Sequence, residues 1–336
     1  MEHELPSTLG LTPDQVQTLI TTAGRAPSLH NSQPWRFRLR RHAIDLFADL
    51  DRQLPAADPD GRELRLGCGA ALFNLRLALH GLGIRPTVTV LPDPTQPALL
   101  ATVRHGGAKT PTPQQLRLLA AVPARRTNRR PFHDVAVSPA EHHALRQAAL
   151  DEGSWLQAVE DPAQLRSLRE LAARAHRAQQ ADPAFVAELD RWTSSKAGRQ
   201  DGVPASAGGP QPAPQDWWTL RDFSAGAGAE RIPGQNFEPQ PMIAVLTPHL
   251  AGPEADIGSG QALQRVLLTA TVHGLAVSFL SQVVEVPPTR EELRRLIGAT
   301  RPPAAVLRIG RGWPIPATRR LDAADLVILD PADIRS

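Results

Sequence analysis

The chain has one cysteine, Cys68, in 336 residues. A single thiol can close no disulfide within the chain and build no Cys-based zinc site, and it suits a reducing compartment. Tyrosine is missing, and aromatic residues make up only 4%. Single-stranded nucleic acids are held by aromatics interleaved with basic residues, and no segment shows that pattern. No stretch approaches the roughly 18 apolar residues of a membrane span. The N-terminal Met-Glu-His-Glu-Leu-Pro has neither the basic start nor the apolar run of a signal peptide. There is no P-loop, no GxSxG elbow and no HExxH pair. The formal net charge is only +3, and the pI of 9.9 follows because almost all the base is arginine. These absences predict a cytoplasmic protein with neither a nucleic-acid nor a membrane partner.

What is present is a 41% hydrophobic chain, long enough for about two units. Thr12-Pro13-Asp14 opens a helix, with Val16, Leu19, Ile20 and Ala23 on its apolar face. Phe37, Leu39, Ile44, Leu46 and Phe47 suggest two strands about a basic turn at Arg40-Arg41. Asp60-Gly61 begins a second, long helix, followed by a strand at Thr-Val-Thr-Val-Leu-Pro and a short helix near 112–121. Ser138-Pro139-Ala140-Glu141 reads as a capping box with proline at the first helical position. A strand is expected at Trp155–Val159 and a helix from Asp161-Pro162 to about Ala181. Further on the patterning predicts strand 242–247, helix 256–274, strand 276–284, helix 288–298 and strand 304–309.

Residues 194–240 differ. They are rich in Pro, Gly and Ser, yet Trp192, Trp217, Trp218, Phe223 and Phe237 lie in or beside them. A floppy linker seldom carries so many large aromatics, so an ordered lid is expected.

The two ends resemble each other. Gly67-x-Gly69-x-Ala71-Leu72 matches Gly258-x-Gly260-x-Ala262-Leu263. Each opens an apolar helix that closes on His-Gly-Leu, at His80 and at His273, with a strand after it. This points to duplication of one unit, folded like a dimer within one chain, with halves at 1–122 and 123–336.

Two segments can carry chemistry. Arg125-Arg126-Thr127-Asn128-Arg129-Arg130 offers guanidinium forks and a hydroxyl, a combination that suits a phosphate. Pro27-Ser28-Leu29-His30-Asn31-Ser32-Gln33-Pro34-Trp35 is a loop stiffened by two prolines, in which Asn31 and Gln33 can read a planar heterocycle edge. Nothing at ligand spacing joins His30, so a metal is not expected. Cys68 reads as a packing residue.

The Pro-Ser-Leu-His-Asn-Ser-Gln-Pro-Trp loop resembles the PSxxNxQPW loop of FMN-dependent nitroreductases, and Arg-Arg-Thr-Asn-Arg resembles their RRSxR phosphate motif. The helices at 69–75 and 260–268, the segment 302–310 and the tail at 316–320 are similar to the rest of that fold, and the fused arrangement is most similar to the Acg-like family. The resemblance covers most of the chain outside 194–240. It implies an α+β nitroreductase-like fold with two tandem halves forming an internal pseudo-dimer. It also implies one composite FMN site, since each motif occurs once and in a different half. By that resemblance Arg125, Arg126, Thr127 and Arg129 hold phosphate and ribityl chain. Pro27, Ser28, Leu29, Asn31 and Gln33 line the isoalloxazine, Leu280, Ser281 and Gln282 meet its edge, and Arg319 or Arg320 completes the phosphate pocket. Thr127 stands where the family has Ser, and Ser281-Gln282 where it has an acidic-Gly pair. The implied activity is oxidation of NAD(P)H with a nitroaromatic or quinone as acceptor. A lid carrying Trp217 and Trp218 over the flavin would favour storage of FMN instead.

Overall fold

Three helices start on the same local chemistry. Thr12, Thr112 and Ser138 each accept from the backbone N–H three residues on, and Gln15, Gln115 and Glu141 reach back in return. Each is followed by proline, whose fixed φ suits the first helical position. The computed structural model describes residues 5–193, 199–211, 213, 216, 218, 221–223, 237–238 and 241–328. None of its helices is long and apolar enough to cross a membrane.

The first half runs α1 (Pro13–Gly24), β1 (Trp35–Arg40), β2 (Ala43–Ala48), α2 (Arg62–Gly81), β3 (Ile84–Val90), β4 (Leu99–Ala108) and α3 (Pro113–Ala121). The second half runs β5 (Phe132–His133), α4 (Pro139–Leu150), β6 (Ser154–Ala158), α5 (Pro162–Gln180), α6 (Pro183–Thr193), β7 (Met242–Pro248), α7 (Pro253–Val272), β8 (Ala276–Phe279), α8 (Gln282–Glu285), α9 (Pro287–Leu296), β9 (Ala305–Gly312), α10 (Ala323–Leu326) and β10 (Val327–Ile328). The first sheet has the order β10-β1-β2-β4-β3. In the second, β6-β7-β9 continues to both β8 and β5. Strands β1-β2-β4-β3 thus repeat as β6-β7-β9-β8, antiparallel at each step. The chain is two tandem halves forming an internal pseudo-dimer.

The halves meet through α2 and α7, which cross at the paired glycines. A Cβ on Gly69 would lie 2.1 Å from the carbonyl oxygen of Ile257, and one on Gly260 would lie 2.0 Å from that of Leu66. Only glycine lets the two backbones approach so closely. A buried bond from Gln264 Nε2 to Asn74 Oδ1 (2.8 Å) ties the same helices together. The tail then crosses over: β10, from the second half, pairs in parallel with β1, Phe37 opposite Val327. This crossover brings residues 313–322 beside the end of α1.

Several expectations change. The patterning does not mark β4: its Thr-Val-Arg-His-Gly-Gly stretch lacks strict alternation, yet it pairs with both β2 and β3. The patterning does not mark α6 either. The strand expected at 276–284 stops at Phe279, where the chain leaves the sheet and turns into α8.

Candidate functional site

The ten-residue-long style of turn between α1 and β1 is unusual in its backbone. His30, Asn31 and Gln33 have φ of 50°, 56° and 52°. Left-handed backbone is uncommon for non-glycine residues, although Asn and His tolerate it best. Side-chain bonds hold the loop in this form. The N–H of Gln33 donates to Ser28 Oγ (2.9 Å). Asn31 Nδ2 donates to the carbonyls of Gly202 (2.9 Å) and Arg319 (3.2 Å). Gln33 Nε2 donates to the Gln200 carbonyl (3.0 Å), and its Oε1 accepts from the N–H of Leu321 (2.9 Å). Arg52 clamps the Ser32 carbonyl and Asp201, at 2.9 and 2.8 Å.

Facing the loop is the arginine segment between α3 and β5. It is pinned where Thr127 bridges Val277, where the Asn128 N–H donates to the Val277 carbonyl (2.8 Å), and where Asn128 Nδ2 donates to the Trp313 carbonyl (2.9 Å). One cavity lies between them. Pro27, Ser28, Leu29 and Asn31 line it from the first half; Arg125, Arg126, Thr127, Arg129, Ser281 and Arg320 line it from the second. Leu66 of α2, Leu263 of α7 and Phe279 of β8 make an apolar part of the wall.

The phosphate-motif arginines are charged and poorly partnered. Arg125 is buried, and its Nε and Nη1 have no hydrogen-bond partner, nor does Arg320 Nε. Among the described residues, Arg125, Arg126, Arg129 and Arg320 form no ion pair with a carboxylate. Burial and the neighbouring Arg126 bring Arg125 down to about 10. Burial, with Arg125, Arg126 and Arg25 close by, brings Arg320 down to about 9. Burial, then Arg221 and Arg125, brings Arg129 to about 10. Like-charged guanidiniums gathered without a counter-ion favour an anion. On the loop side, Asn31 Oδ1 is a buried acceptor without a partner. The arrangement suits a ligand with an anionic end and a flat apolar body whose edge carries hydrogen-bonding groups.

Four expected site residues are not in the wall. Gln33 is fully buried behind it, fastening the loop to Gln200 of the 194–240 segment, the insert, and to the tail. Arg319 is exposed and contributes its carbonyl to Asn31. Leu280 is fully buried in a core with Ile243, Val283 and Val306, and Gln282 is buried at the start of α8. The turn after Phe279 explains the last two: of that triplet only Ser281 reaches the cavity.

Sequence reading missed other lining residues, because topology alone brings them in. From the insert come Val203, Ala207, Arg221 and Phe223; from the tail, Ile315, Pro316 and Thr318; from α2, Glu63. Arg129 Nη1 donates to the Ala207 carbonyl (2.9 Å), and its guanidinium lies 4.2 Å from the Phe223 ring centre. Burial, followed by the charges of Asp58 and Glu285, pushes the Glu63 carboxyl well above the usual range. His30 also lines the cavity; burial, Arg221 and Arg129 hold it well below the usual imidazole range. The tryptophan expectation is corrected: Trp218 is buried against Leu168, Ile243 and Leu280, away from the cavity, while Trp217 lies outside the described residues. Cys68 is fully buried and donates to the Pro34 carbonyl (3.1 Å), and burial raises its thiol pKa, as for a packing residue. Among the described residues no group of His, Cys, Asp and Glu is placed to hold a metal ion.

No protein-family model matches the chain. Two Mycobacterium tuberculosis proteins are similar along nearly its whole length. One, which goes by the name NAD(P)H nitroreductase Rv3131, is 34% identical over 328 residues, 94% of this chain and 91% of its own. The other, which goes by the name NAD(P)H nitroreductase acg, is 32% identical over 324 residues, 94% of this chain and 96% of its own. Among solved structures, a nitroreductase-type protein from Anabaena variabilis matches 93% of this chain and 90% of its own with a TM-score of 0.51. At 11% identity that likeness is one of fold. With this level of identity running through both halves, and the same strand order in each, the chain belongs to the nitroreductase family, in its Acg-like branch.

Proposed function

We propose that the chain is a flavoprotein that binds one FMN in the composite cavity and oxidises NAD(P)H, with a nitroaromatic or quinone as acceptor. The observation that carries this reading is the meeting of Arg125, Arg126 and Arg320, which lack carboxylate partners, with the unpartnered Asn31 Oδ1 across one cavity. FMN offers what each side lacks: a phosphate dianion at one end and a ring with an N–H edge at the other. When bound, FMN supplies the two-electron redox chemistry. The protein's part is to bind, orient and exclude water. Arg125, Arg126 and Arg320 hold the phosphate, with the Thr127 hydroxyl beside them. Asn31 Oδ1 accepts from the ring edge, and Leu29, Leu66, Leu263 and Phe279 form a dry wall. Arg129 adds a cation that disperses negative charge on the ring.

The insert favours a second reading, FMN storage with slow turnover. Val203, Ala207 and Phe223 close one side of the cavity, and the insert is fastened to both binding segments through Asn31 and Arg129. The test is reconstitution of the full chain with FMN, followed by absorbance. A ratio near one FMN per chain is expected; a ratio near two defeats the composite site, and none defeats the FMN reading. Anaerobic stopped-flow reduction then separates the two uses. Fast bleaching by NAD(P)H supports the oxidoreductase; bleaching by dithionite alone supports storage.

A further inference from the structure

His30 stands next to Asn31 in the loop, and its environment is built by the insert. Arg221 Nη1 lies 2.9 Å from His30 Nε2 in a fully enclosed contact. A guanidinium only donates, so Nε2 must accept. Burial keeps the ring neutral, so its one proton sits on Nδ1. That Nδ1 is buried and has no partner. Arg221 is itself fixed: it pairs with buried Glu285, donates to Gln179 Oε1 (2.9 Å), and lies 5.2 Å from the ring centre of Phe185. His30 packs edge-on to Phe185 and Phe223, at 6.5 and 5.7 Å between ring centres, which excludes water from its flanks. Consecutive residues of one loop thus offer an unpaired donor, His30 Nδ1–H, and an unpaired acceptor, Asn31 Oδ1, beside the same cavity.

That pair is the complement of an imide edge, where an N–H is flanked by carbonyl oxygens. The pyrimidine end of a flavin has such an edge. We infer that His30, set as its Nδ1–H tautomer by Arg221 of the insert, donates to a carbonyl of the flavin's pyrimidine end while Asn31 accepts from the adjacent N–H. The inference rests on the FMN reading above. Arg221 is then a positioning residue, and the insert takes part in cofactor recognition as well as covering the site. An orphaned buried N–H carries a desolvation penalty that a ligand carbonyl removes, which makes the pairing favourable.

The test has two arms on the full chain. In the first, ¹⁵N-histidine labelling of apo protein and long-range proton–nitrogen correlation give the tautomer of His30, assigned by loss of its signals in His30→Asn. Protonation at Nδ1 is expected, and a shift toward Nε2 in Arg221→Met. Protonation at Nε2 in the unaltered protein overturns the inference; an unchanged tautomer in Arg221→Met overturns the role of Arg221. In the second arm, FMN affinity is read by fluorescence quenching for His30→Gly and His30→Asn. Both residues accept a φ of 50°, so backbone strain is matched, and Asn places an N–H near the position of Nδ1. His30→Gly is expected to raise the Kd about three- to tenfold, with His30→Asn close to the unaltered protein. Equal affinity for His30→Gly and the unaltered protein overturns the inference and leaves the FMN reading standing. Failure of the unaltered protein to take up FMN overturns both.

Discussion

The two halves share their elements and differ in the pieces between them. α1 and α4 are each 12 residues long, with a capping box and proline at the first position. The strands that follow have the same order. Yet the connector from α1 to β1 runs from Arg25 to Pro34, while the one from α4 to β6 is only Asp151 to Gly153. The long connector carries left-handed residues and unpaired polar atoms at the cavity. The short one is closed by charge: Glu152 meets Arg76 and Arg265, at 2.8 and 3.0 Å, and Asp151 also pairs with Arg265. A larger asymmetry lies at the hairpins. β1 and β2 are joined by Arg41-His42, whereas residues 159–241 separate β6 from β7, and the insert that walls the cavity is among them. The two halves share a scaffold and differ in their connectors: one loop lines the cavity and its counterpart is a salt-bridged turn.

The shared part should be the most fragile, and fragile from both sides. The α2–α7 crossing has no room for a methyl at either glycine, and the obstructing atoms are backbone carbonyls that cannot rotate away. Gly69→Ala and Gly260→Ala should each cost about 3 kcal/mol or more, at the top of the overpacking range. Urea unfolding of the apo protein measures this. A large loss at one glycine with a neutral change at the other would break the internal two-fold symmetry at its centre.

The unlike parts should respond with opposite signs. Arg125 is a buried cation beside other cations, so its removal should help the empty protein and harm the loaded one. Arg125→Met is expected to weaken FMN binding roughly 10- to 100-fold, the scale of a charge-assisted bond. The same change should stabilise the apo protein by an amount on the order of 1–2 kcal/mol, because a desolvated charge disappears. Arg76→Met, at the closed connector, should leave FMN affinity unchanged and cost less than ~1 kcal/mol, as a partly exposed ion pair does. Fluorescence titration and denaturation of both variants give the four values. A loss of apo stability in Arg125→Met would mean that the cluster is structural.

These contrasts also show what could be read from the chain. Helix starts were legible because capping is local: Thr12-Pro13, Ser138-Pro139 and Asp161-Pro162 carry their own signals. Much of the cavity lining was legible for the same reason, since Pro27–Asn31 and Arg125–Arg129 are contiguous segments. Glu63, Arg221, Phe223 and Thr318 were not, because they come from elements far apart in the chain, and the insert has no periodicity to read. Trp218 misled because a large aromatic in an irregular segment looks available, whereas here it completes a core with Leu168 and Ile243. Gln33 misled differently: its motif position marks the loop, but its amide is spent on Gln200 and Leu321.

The smallest contrast separates the two helix caps. At the third position of the box α1 has Gln15 and α4 has Glu141. The Ser138 backbone N–H and then its hydroxyl, with a smaller contribution from Arg311, hold the Glu141 carboxyl below its ordinary value of 4.5. A depressed folded-state pKa adds stability above the unfolded value, and that stability is lost as pH falls through the folded one. Gln15 does not titrate, so the α1 cap has no such dependence. As pH falls below about 4.5, α4 should therefore loosen relative to α1, by about 1 kcal/mol, the usual worth of a helix cap. Glu141→Gln should flatten that part of the stability profile while costing a little at neutral pH, where the bond to Arg311 is lost. Gln15→Glu should install the same acid dependence in α1. Hydrogen exchange of segments 13–24 and 139–150 at pH values across that range resolves the two helices. Equal exchange of both at every pH would show that the carboxylate box adds nothing over its amide counterpart, and that the two caps differ in sequence alone.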